Sequence, residues 1–462
     1  MKLAFHGADR SVTGSCHMIE CAGKKILIDC GMHQGSRELD EENSQPFGFD
    51  PAGIDYVLLT HAHLDHCGRL PLLAKRGFRG EIITTAASRE LARLVLLDAA
   101  HMQEEDTRSR GDDTARRATT NARPAPLYGV LDALNCLDRF GRTAVYGEPV
   151  DVTAGVRATF LNAGHILGSA SILLDLRESG KQTGVLFSGD LGKAQGPLLP
   201  SPAQPPAAVN VVMESTYGDR LHKPAGASLE EFYDAVIDTF KRGGNVIVPT
   251  FALERPQELI YYISEGIAQA QLTKSTQIFL DSPMAISATE VMQRHLEDLQ
   301  PQIAALIRTG RDPFHLPGLH YTREQAQSVA INKIRGGAII MAGSGMATGG
   351  RVRHHLKHNL WRAEASVVFV GYAAAGTLAR RIIDGAKQVE VLGEQIAVRA
   401  RIYTINGFSG HADQRELIAW HKQTAASRTF LVHGEEPAMQ KLAAQLGAGT
   451  VEMPAPHQEF EL

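Results

Sequence analysis

The chain has 462 residues, more than one hydrophobic core usually serves, so two or three domains are expected. Hydrophobic content of 44% and charged content of 21% fit an ordinary folded globular protein and argue against a disordered one. Lys plus Arg number 47 against 51 Asp plus Glu, a formal net charge of -4, which excludes a generally basic nucleic-acid coat but leaves room for a local basic groove.

Near the N-terminus Lys2, His6, Asp9 and Arg10 interrupt any secretory core, and no apolar run approaches the ~20 residues of a membrane span. The five cysteines, Cys16, Cys21, Cys30, Cys67 and Cys136, form no CxxC pair and sit mostly in apolar surroundings. Buried free thiols in a reducing cytoplasm are therefore expected. The first ~100 residues read as short strands and turns, including Lys25 to Cys30.

The run Asp55 to Thr60 has the β-branched, aromatic and apolar composition of a buried strand. Directly after it, His61-Ala62-His63-Leu64-Asp65-His66 packs four metal ligands into six residues. Imidazole and carboxylate suit Zn²⁺, with Mn²⁺ and Fe as alternatives. One catalytic zinc usually takes three protein ligands and keeps a position open for water. Four at this spacing point to two adjacent metals, with His61 and His63 on one and Asp65 and His66 on the other.

From about Leu91 to Asp138 the pattern is helical, with a charged centre at Glu104-Glu105-Asp106 and Arg108 to Arg117 that reads as a solvated helix face or mobile loop. Strands resume at Arg157 to Leu161 and Gly184 to Phe187, and Pro197 to Pro206 looks like a linker. Beyond it, Val211 to Met213, Asn245 to Val248, Gln277 to Leu280, Ala338 to Met341 and Ser366 to Val370 are continuous apolar runs alternating with helical patterns. That alternation predicts a parallel sheet covered on both faces. Its ligand-facing loops would begin at Glu214, Pro249, Asp281, Gly343 and Gly371, rich in hydroxyls and glycines suited to phosphate.

Further ligands are expected on similar strand ends. His165 would complete the first metal's set and His433 the second's. Asp190 has two oxygens with which to bridge both ions, and Asp29 is a candidate to orient a ligand or the bound water.

Taken in order, Asp29, His61 to His66, His165 and Asp190, then Glu214 in Glu-Ser-Thr-Tyr-Gly, His411 in Ser-Gly-His-Ala-Asp and His433 in Val-His-Gly resemble the motifs of the metallo-β-lactamase superfamily. Within it they resemble the β-CASP nucleases. The resemblance is to the RNA-acting branch, that of the pre-mRNA 3′-end cleavage endonuclease and its bacterial and archaeal relatives. It implies an α/β protein, an αββα metallo-β-lactamase sandwich built from residues 1–207 and 386–462, with a parallel-sheet β-CASP domain inserted at 208–385.

The same resemblance implies two Zn²⁺ per chain and hydrolysis of RNA by a hydroxide held between them, leaving a 5′-phosphate and a 3′-hydroxyl. Asp29 and Asp65 would serve catalysis. His411 would act as general acid, oriented by Glu214, although from the residues alone it could equally be a ligand of a third metal or of substrate. His433 is similar to the RNA-acting branch, so single-stranded RNA is the expected partner. Ser344, Tyr372, Thr377, Arg351 and Arg380 are candidate phosphate contacts, with Arg353, Lys357 and Arg381 beside them.

The chain ends soon after the last motif, without the C-terminal extension of ribonuclease J, so a compact endonuclease acting as monomer or homodimer is expected. Relatives often carry Gln after the Tyr where this chain reads Tyr372-Ala373. The alternatives are a metallohydrolase of small esters or thioesters, which would leave Glu214 and His411 unexplained, 5′-exonuclease or DNA activity, and a non-catalytic scaffold.

Overall fold

The computed structural model describes residues 1–35, 41–115, 125–371, 373–374, 376–447 and 449–462. It divides into two compact units, one of Met1–Gly196, Pro200–Leu221 and His411–Leu462, the other of Pro197–Leu199 and His222–Gly410.

The first unit holds two seven-stranded sheets. One is ordered Glu459–Glu461, Lys2–Phe5, His17–Cys21, Lys24–Ile28, Tyr56–Leu58, Glu81–Thr85 and Phe140–Ala144. The other is ordered Thr450–Glu452, Arg428–Val432, Asn210–Glu214, Lys181–Phe187, Ala170–Glu178, Val156–Asn162 and Pro149–Thr153. Alternation explains how they meet. Val156, Ala158 and Phe160 on one strand and Ile172 and Leu174 on the next face Leu3, Phe5, Ile19 and Ile28 in a single buried cluster, as the period-2 pleat requires.

Leu186, Val211, Met213 and Leu431 point the other way, against Leu417, Trp420, Met439 and Leu442 of helices Gln414–Thr424 and Glu436–Ala443. Helices Leu70–Lys75, Ala86–Ala115 and Val130–Leu137 pack together and onto strands Glu81–Thr85 and Phe140–Ala144. The result is the expected αββα sandwich. Both chain ends contribute, since Leu3 pairs with Phe460.

The second unit is built on a six-stranded parallel sheet, ordered Leu319–Tyr321, Gln277–Leu280, Ala338–Ala342, Val246–Pro249, Ser366–Phe369 and Arg401–Thr404. Helices follow its strands, among them Arg255–Ala268, Pro283–Arg294 and Val352–Asn359. An antiparallel ribbon pairs Gln388–Val391 with Glu394–Ala397.

The units change at 221/222 and 410/411, not at 207/208 and 385/386 as the sequence suggested. The run Val211 to Met213, expected in the inserted sheet, pairs in parallel with Leu186 and Leu431 in the first unit. At the other end, Arg401–Thr404 pairs with Ser366–Phe369 and so extends the insert.

The helical stretch expected from Leu91 to Asp138 is two helices, Ala86–Ala115 and Val130–Leu137; positions 116 and 117 of its charged run lie outside the described residues. All five cysteines are buried and free. Among the described residues no helix is long and apolar enough to cross a membrane.

Candidate metal centre

Strand Tyr56–Leu58 ends inside the first unit and delivers the chain into the His61 to His66 loop, whose last residues form the short helix Leu64–Cys67. Backbone bonds fix this loop. The amides of Ser15, Cys30 and Met32 donate to the carbonyls of Asp65, His66 and Leu64 at 2.9, 2.8 and 3.0 Å. Gly31 permits the approach, because a Cβ there would lie 1.6 Å from the Asp65 carbonyl oxygen.

The expected ligands converge in two groups, His61, His63, His165 and Asp190, and Asp65, His66 and His433. In the first, His63 Nδ1 lies 3.2 Å from His61 Nε2 and 3.1 Å from His165 Nε2. Asp190 Oδ2 lies 3.4 Å from His61 Nε2 and 3.5 Å from His165 Nε2. In the second, His433 Nε2 is 3.4 Å from both His66 Nε2 and Asp65 Oδ2. The other oxygen of Asp190, Oδ1, is 3.2 Å from His66 Nε2, so one carboxylate touches both groups.

Hydrogen bonds on the far side of the rings assign their tautomers. The Thr60 hydroxyl donates to Asp29 Oδ2 at 2.7 Å, so His61 Nδ1, 3.0 Å from that hydroxyl, must donate to it. His66 Nδ1 donates to Asp29 Oδ2 at 2.7 Å. The Thr216 hydroxyl donates to the His433 carbonyl, which leaves His433 Nδ1, at 2.9 Å, as the donor to it. In all three rings Nδ1–H is tied to oxygen and Nε2 faces the cluster. Ring nitrogens and carboxylate oxygens converging at 3.1–3.5 Å, around two buried Asp190 oxygens that make no hydrogen bond of ordinary geometry among the described residues, fit a cation between them.

Burial pushes His61 well below its ordinary value and His63 down to about 4. Burial also opposes protonation of His66, but the charges of Asp190 and Asp29 and its hydrogen bonds to them raise it well above its ordinary value. Burial opposes ionisation of Asp65, yet His433 and His66 beside it hold it down at about 2. Asp190 is held well below the usual carboxylate range, against burial, by His433, His66 and His61. Two of the residues carry left-handed backbone, Asp29 at φ +63 and His433 at φ +51. Such strained conformations in non-glycine residues concentrate at functional sites.

His411 and Glu214 meet beside this cluster. His411 Nδ1 is 3.2 Å from both Glu214 oxygens and 4.0 Å from Asp190 Oδ2. The Leu191 amide donates to Glu214 Oε1 at 2.6 Å and the Glu214 amide to Ser188 Oγ at 2.9 Å. His411 immediately precedes a well-capped helix, in which Asp413 and Glu416 cap each other's amides at 3.0 and 2.9 Å; such a cap contributes about 1 kcal/mol. Burial lowers the His411 pKa, but the charge and hydrogen bond of Glu214 outweigh it and raise the ring to about 9.

The sequence reading did not single out Thr60 or Thr216. Each hydroxyl lies within two residues of a singled-out position, Thr60 before His61 and Thr216 after Glu214, and that adjacency was the available signal.

The phosphate candidates belong to the second unit. Ser344 Oγ lies 3.3 Å from Thr348 Oγ1 and the Gly349 amide. Arg351 Nη1 donates to Asp281 Oδ1 at 2.7 Å and to the Thr322 carbonyl at 3.0 Å, and Nη2 to the Arg323 carbonyl at 2.6 Å. Thr377 caps helix Leu378–Ile383, Arg380 pairs with Asp384, and Lys357 with Glu394. Tyr372 lies outside the described residues.

The metallo-beta-lactamase superfamily model matches residues 10–250, the Beta-Casp domain 256–382, and the Zn-dependent metallo-hydrolase RNA specificity domain 395–455. Ribonuclease TTHA0252 of Thermus thermophilus is 39% identical over 450 residues, covering 97% of each chain. The RNase J-like protein of Methanocaldococcus jannaschii is 30% identical over 94% of this chain and 92% of its own. Transcription termination factor FttA of Methanosarcina mazei is 31% identical over 95% and 68%. A solved protein of unknown function from Enterococcus faecalis shares the fold, with TM-score 0.57 at 12% identity over 100% of this chain and 99% of that one. The chain belongs to the metallo-β-lactamase superfamily and, within it, to the β-CASP family.

Proposed function

We propose that the protein is a zinc-dependent ribonuclease, an endonuclease acting on single-stranded RNA to leave a 5′-phosphate and a 3′-hydroxyl. The observation that carries this reading is Asp190, whose two oxygens reach both ligand groups while His411, backed by Glu214, stands 4.0 Å away. A ribonuclease and an RNase J-like protein among the relatives support RNA as substrate.

His61, His63, His165 and Asp190 would hold one zinc, and Asp65, His66, His433 and Asp190 the second. Zinc, when bound, supplies a water-derived nucleophile near neutral pH and a counter-charge for the phosphate. Asp65, ionised beside His433, is positioned to accept the proton that the attacking water gives up. His411 donates a proton to the departing ribose oxygen. Glu214 orients the ring through Nδ1 and keeps it charged, while the Leu191 amide keeps Glu214 in place. Asp29 and Thr60 hold His61 and His66 at the angles their lone pairs need.

Ser344 and Tyr372 stand as proposed phosphate contacts. Arg351, Thr377 and Arg380 have internal partners and are better suited to holding their loops. Five buried thiols suit a reducing compartment, so the proposed address is the cytoplasm, with the protein a monomer or homodimer.

The test is cleavage of one RNA labelled at its 5′ end and, separately, at its 3′ end, beside the matching DNA. The metal-loaded protein is compared with His411→Ala after metal analysis of both. Internal cuts in RNA alone, lost in the variant, are expected. Absence of RNA cleavage by protein carrying two metals would overturn the reading and favour a small-ester hydrolase.

A further inference from the structure

In the second unit, strand Val246–Pro249 lies between Ala338–Ala342 and Ser366–Phe369. The chain after it is buried at Thr250, Ala252, Leu253, Glu254 and Arg255. Phe251 is the exception, with 40% of its surface exposed. An apolar ring held in water inside an otherwise buried loop is unfavourable by itself, and a single ring is too small to be a protein-docking patch.

The ring is nevertheless seated. A Cβ on Gly345 would lie 2.8 Å from Phe251 Cε2, and one on Gly371 would lie 3.9 Å from the same atom. Gly345 does not have a left-handed φ, so contact with the ring, and not backbone conformation, is what excludes a side chain there. Gly345 and Gly371 lie in the loops after the two flanking strands. Phe251 therefore spans the carboxyl ends of three adjacent parallel strands, the position at which open α/β sheets take their ligands.

Polar groups suited to a sugar-phosphate surround that position. Thr250 Oγ1 is buried and has no hydrogen-bond partner among the described residues. The side of Gly343 on which a Cβ would stand is 3.7 Å from the Thr250 carbonyl and 3.9 Å from Ser282 Oγ, and Ser344 sits next along the chain.

We infer that Phe251 is a base-stacking platform: one nucleobase of a single-stranded RNA lies on the exposed part of its ring, with the adjoining ribose and phosphate toward Thr250, Ser282 and Ser344. The inference rests on the ribonuclease reading and deepens it by assigning a nucleobase subsite. Every base has a π-face, so stacking there tolerates sequence.

The test uses full-length, metal-loaded protein carrying Phe251→Ala, Phe251→Leu or Phe251→Trp. Initial rates are measured on a short single-stranded RNA. Removing an aromatic platform typically weakens binding by about ten-fold or more, so Phe251→Ala and Phe251→Leu are expected to raise KM by that factor with kcat little changed. Phe251→Trp is expected to keep the parent KM. Its added fluorescence, against the background of Trp361 and Trp420, should be quenched by RNA and not by an abasic ribose-phosphate oligomer of equal length.

A parent KM in Phe251→Ala, recovery by Leu, which restores bulk without a π-face, or equal quenching by the abasic oligomer would each overturn the platform while leaving the ribonuclease reading intact. Failure of the parent protein to cleave any RNA would overturn both.

Discussion

His355 Nε2 lies 2.6 Å from Asp281 Oδ2, and neither side chain has any exposed surface. The Ser328 hydroxyl donates to the same oxygen at 2.6 Å, and Arg351 occupies the other at 2.7 Å. One carboxylate at the end of strand Gln277–Leu280 thus ties down the start of helix Val352–Asn359 and the glycine-rich loop before it. Burial opposes ionisation of Asp281, but its bonds to His355, Ser328 and Arg351 hold its pKa below the usual value.

A carboxyl whose folded pKa is depressed stabilises the fold above its unfolded value, about 3.9, and that stability is lost as pH falls through the folded value. Asp281→Asn is expected to destabilise the protein by about 3 kcal/mol at neutral pH, the lower end for breaking a buried ion pair. Its stability should also fall less steeply than the parent's between pH 5 and 3 (about one proton fewer). Urea unfolding across that range measures both. Equal slopes would mean that Asp281 does not carry the shift.

The Glu214–His411 pair makes a prediction of opposite sign. Glu214 raises His411 to about 9, so the protonated acid persists through neutral pH and is lost as pH climbs through that value. Glu214→Gln keeps an oxygen for the Leu191 amide but removes the charge. The alkaline limb of the pH–kcat profile on RNA should move down by about a unit or more, and His411→Ala should abolish the limb together with most of the rate. An unmoved limb in Glu214→Gln would assign it to another group.

The candidate metal centre is legible in the sequence because its residues stand at strand ends, and a buried strand such as Val57-Leu58 is readable from apolar composition. The αββα layers follow from the same motifs. Edge strands are not legible: Leu319–Tyr321 and Arg401–Thr404 are short, and their residues are half-exposed or exposed, so no continuous apolar run marks them. Val211 to Met213 reads as a central strand in either sheet, because burial on both faces erases the alternation that would tell one sheet from another. Arg351 is a related case. A cation at a helix start looks the same in sequence whether it awaits a phosphate or a carboxylate seventy positions earlier, as Asp281 is. Phe251 lies in a loop that the sequence marks as ligand-facing, but one aromatic in a buried loop carries no pattern of its own.

The five cysteines offer a test of the first unit's integrity. All are buried and none is paired, and burial pushes the thiols of Cys21, Cys67 and Cys136 upward, Cys136 to about 12. Thiolate, not thiol, attacks a disulfide reagent. The native protein should therefore react slowly with Ellman's reagent, and five thiols should appear on denaturation without prior reduction. Fewer than five would reveal a disulfide or a modified residue.

Thr60 separates the ring-orienting network from the ligands themselves. Its amide and hydroxyl both donate to Asp29, each at 2.7 Å, and its oxygen accepts from His61. Thr60→Val keeps the shape and the backbone bond but removes the hydroxyl. His61 Nδ1–H then loses its acceptor and Asp29 loses one of three donors, while every proposed metal ligand stays in place. Outer partners of this kind typically account for about 10–100-fold in metal affinity. Thr60→Val is expected to bind zinc more weakly by that factor in competition with a chromogenic chelator. With zinc in excess it should regain the parent metal content and most of its activity. His61→Ala removes a ligand and should regain neither, so the contrast between the two variants under excess zinc distinguishes orientation from coordination. Unchanged affinity in Thr60→Val would show that the strand end alone holds the His61 ring.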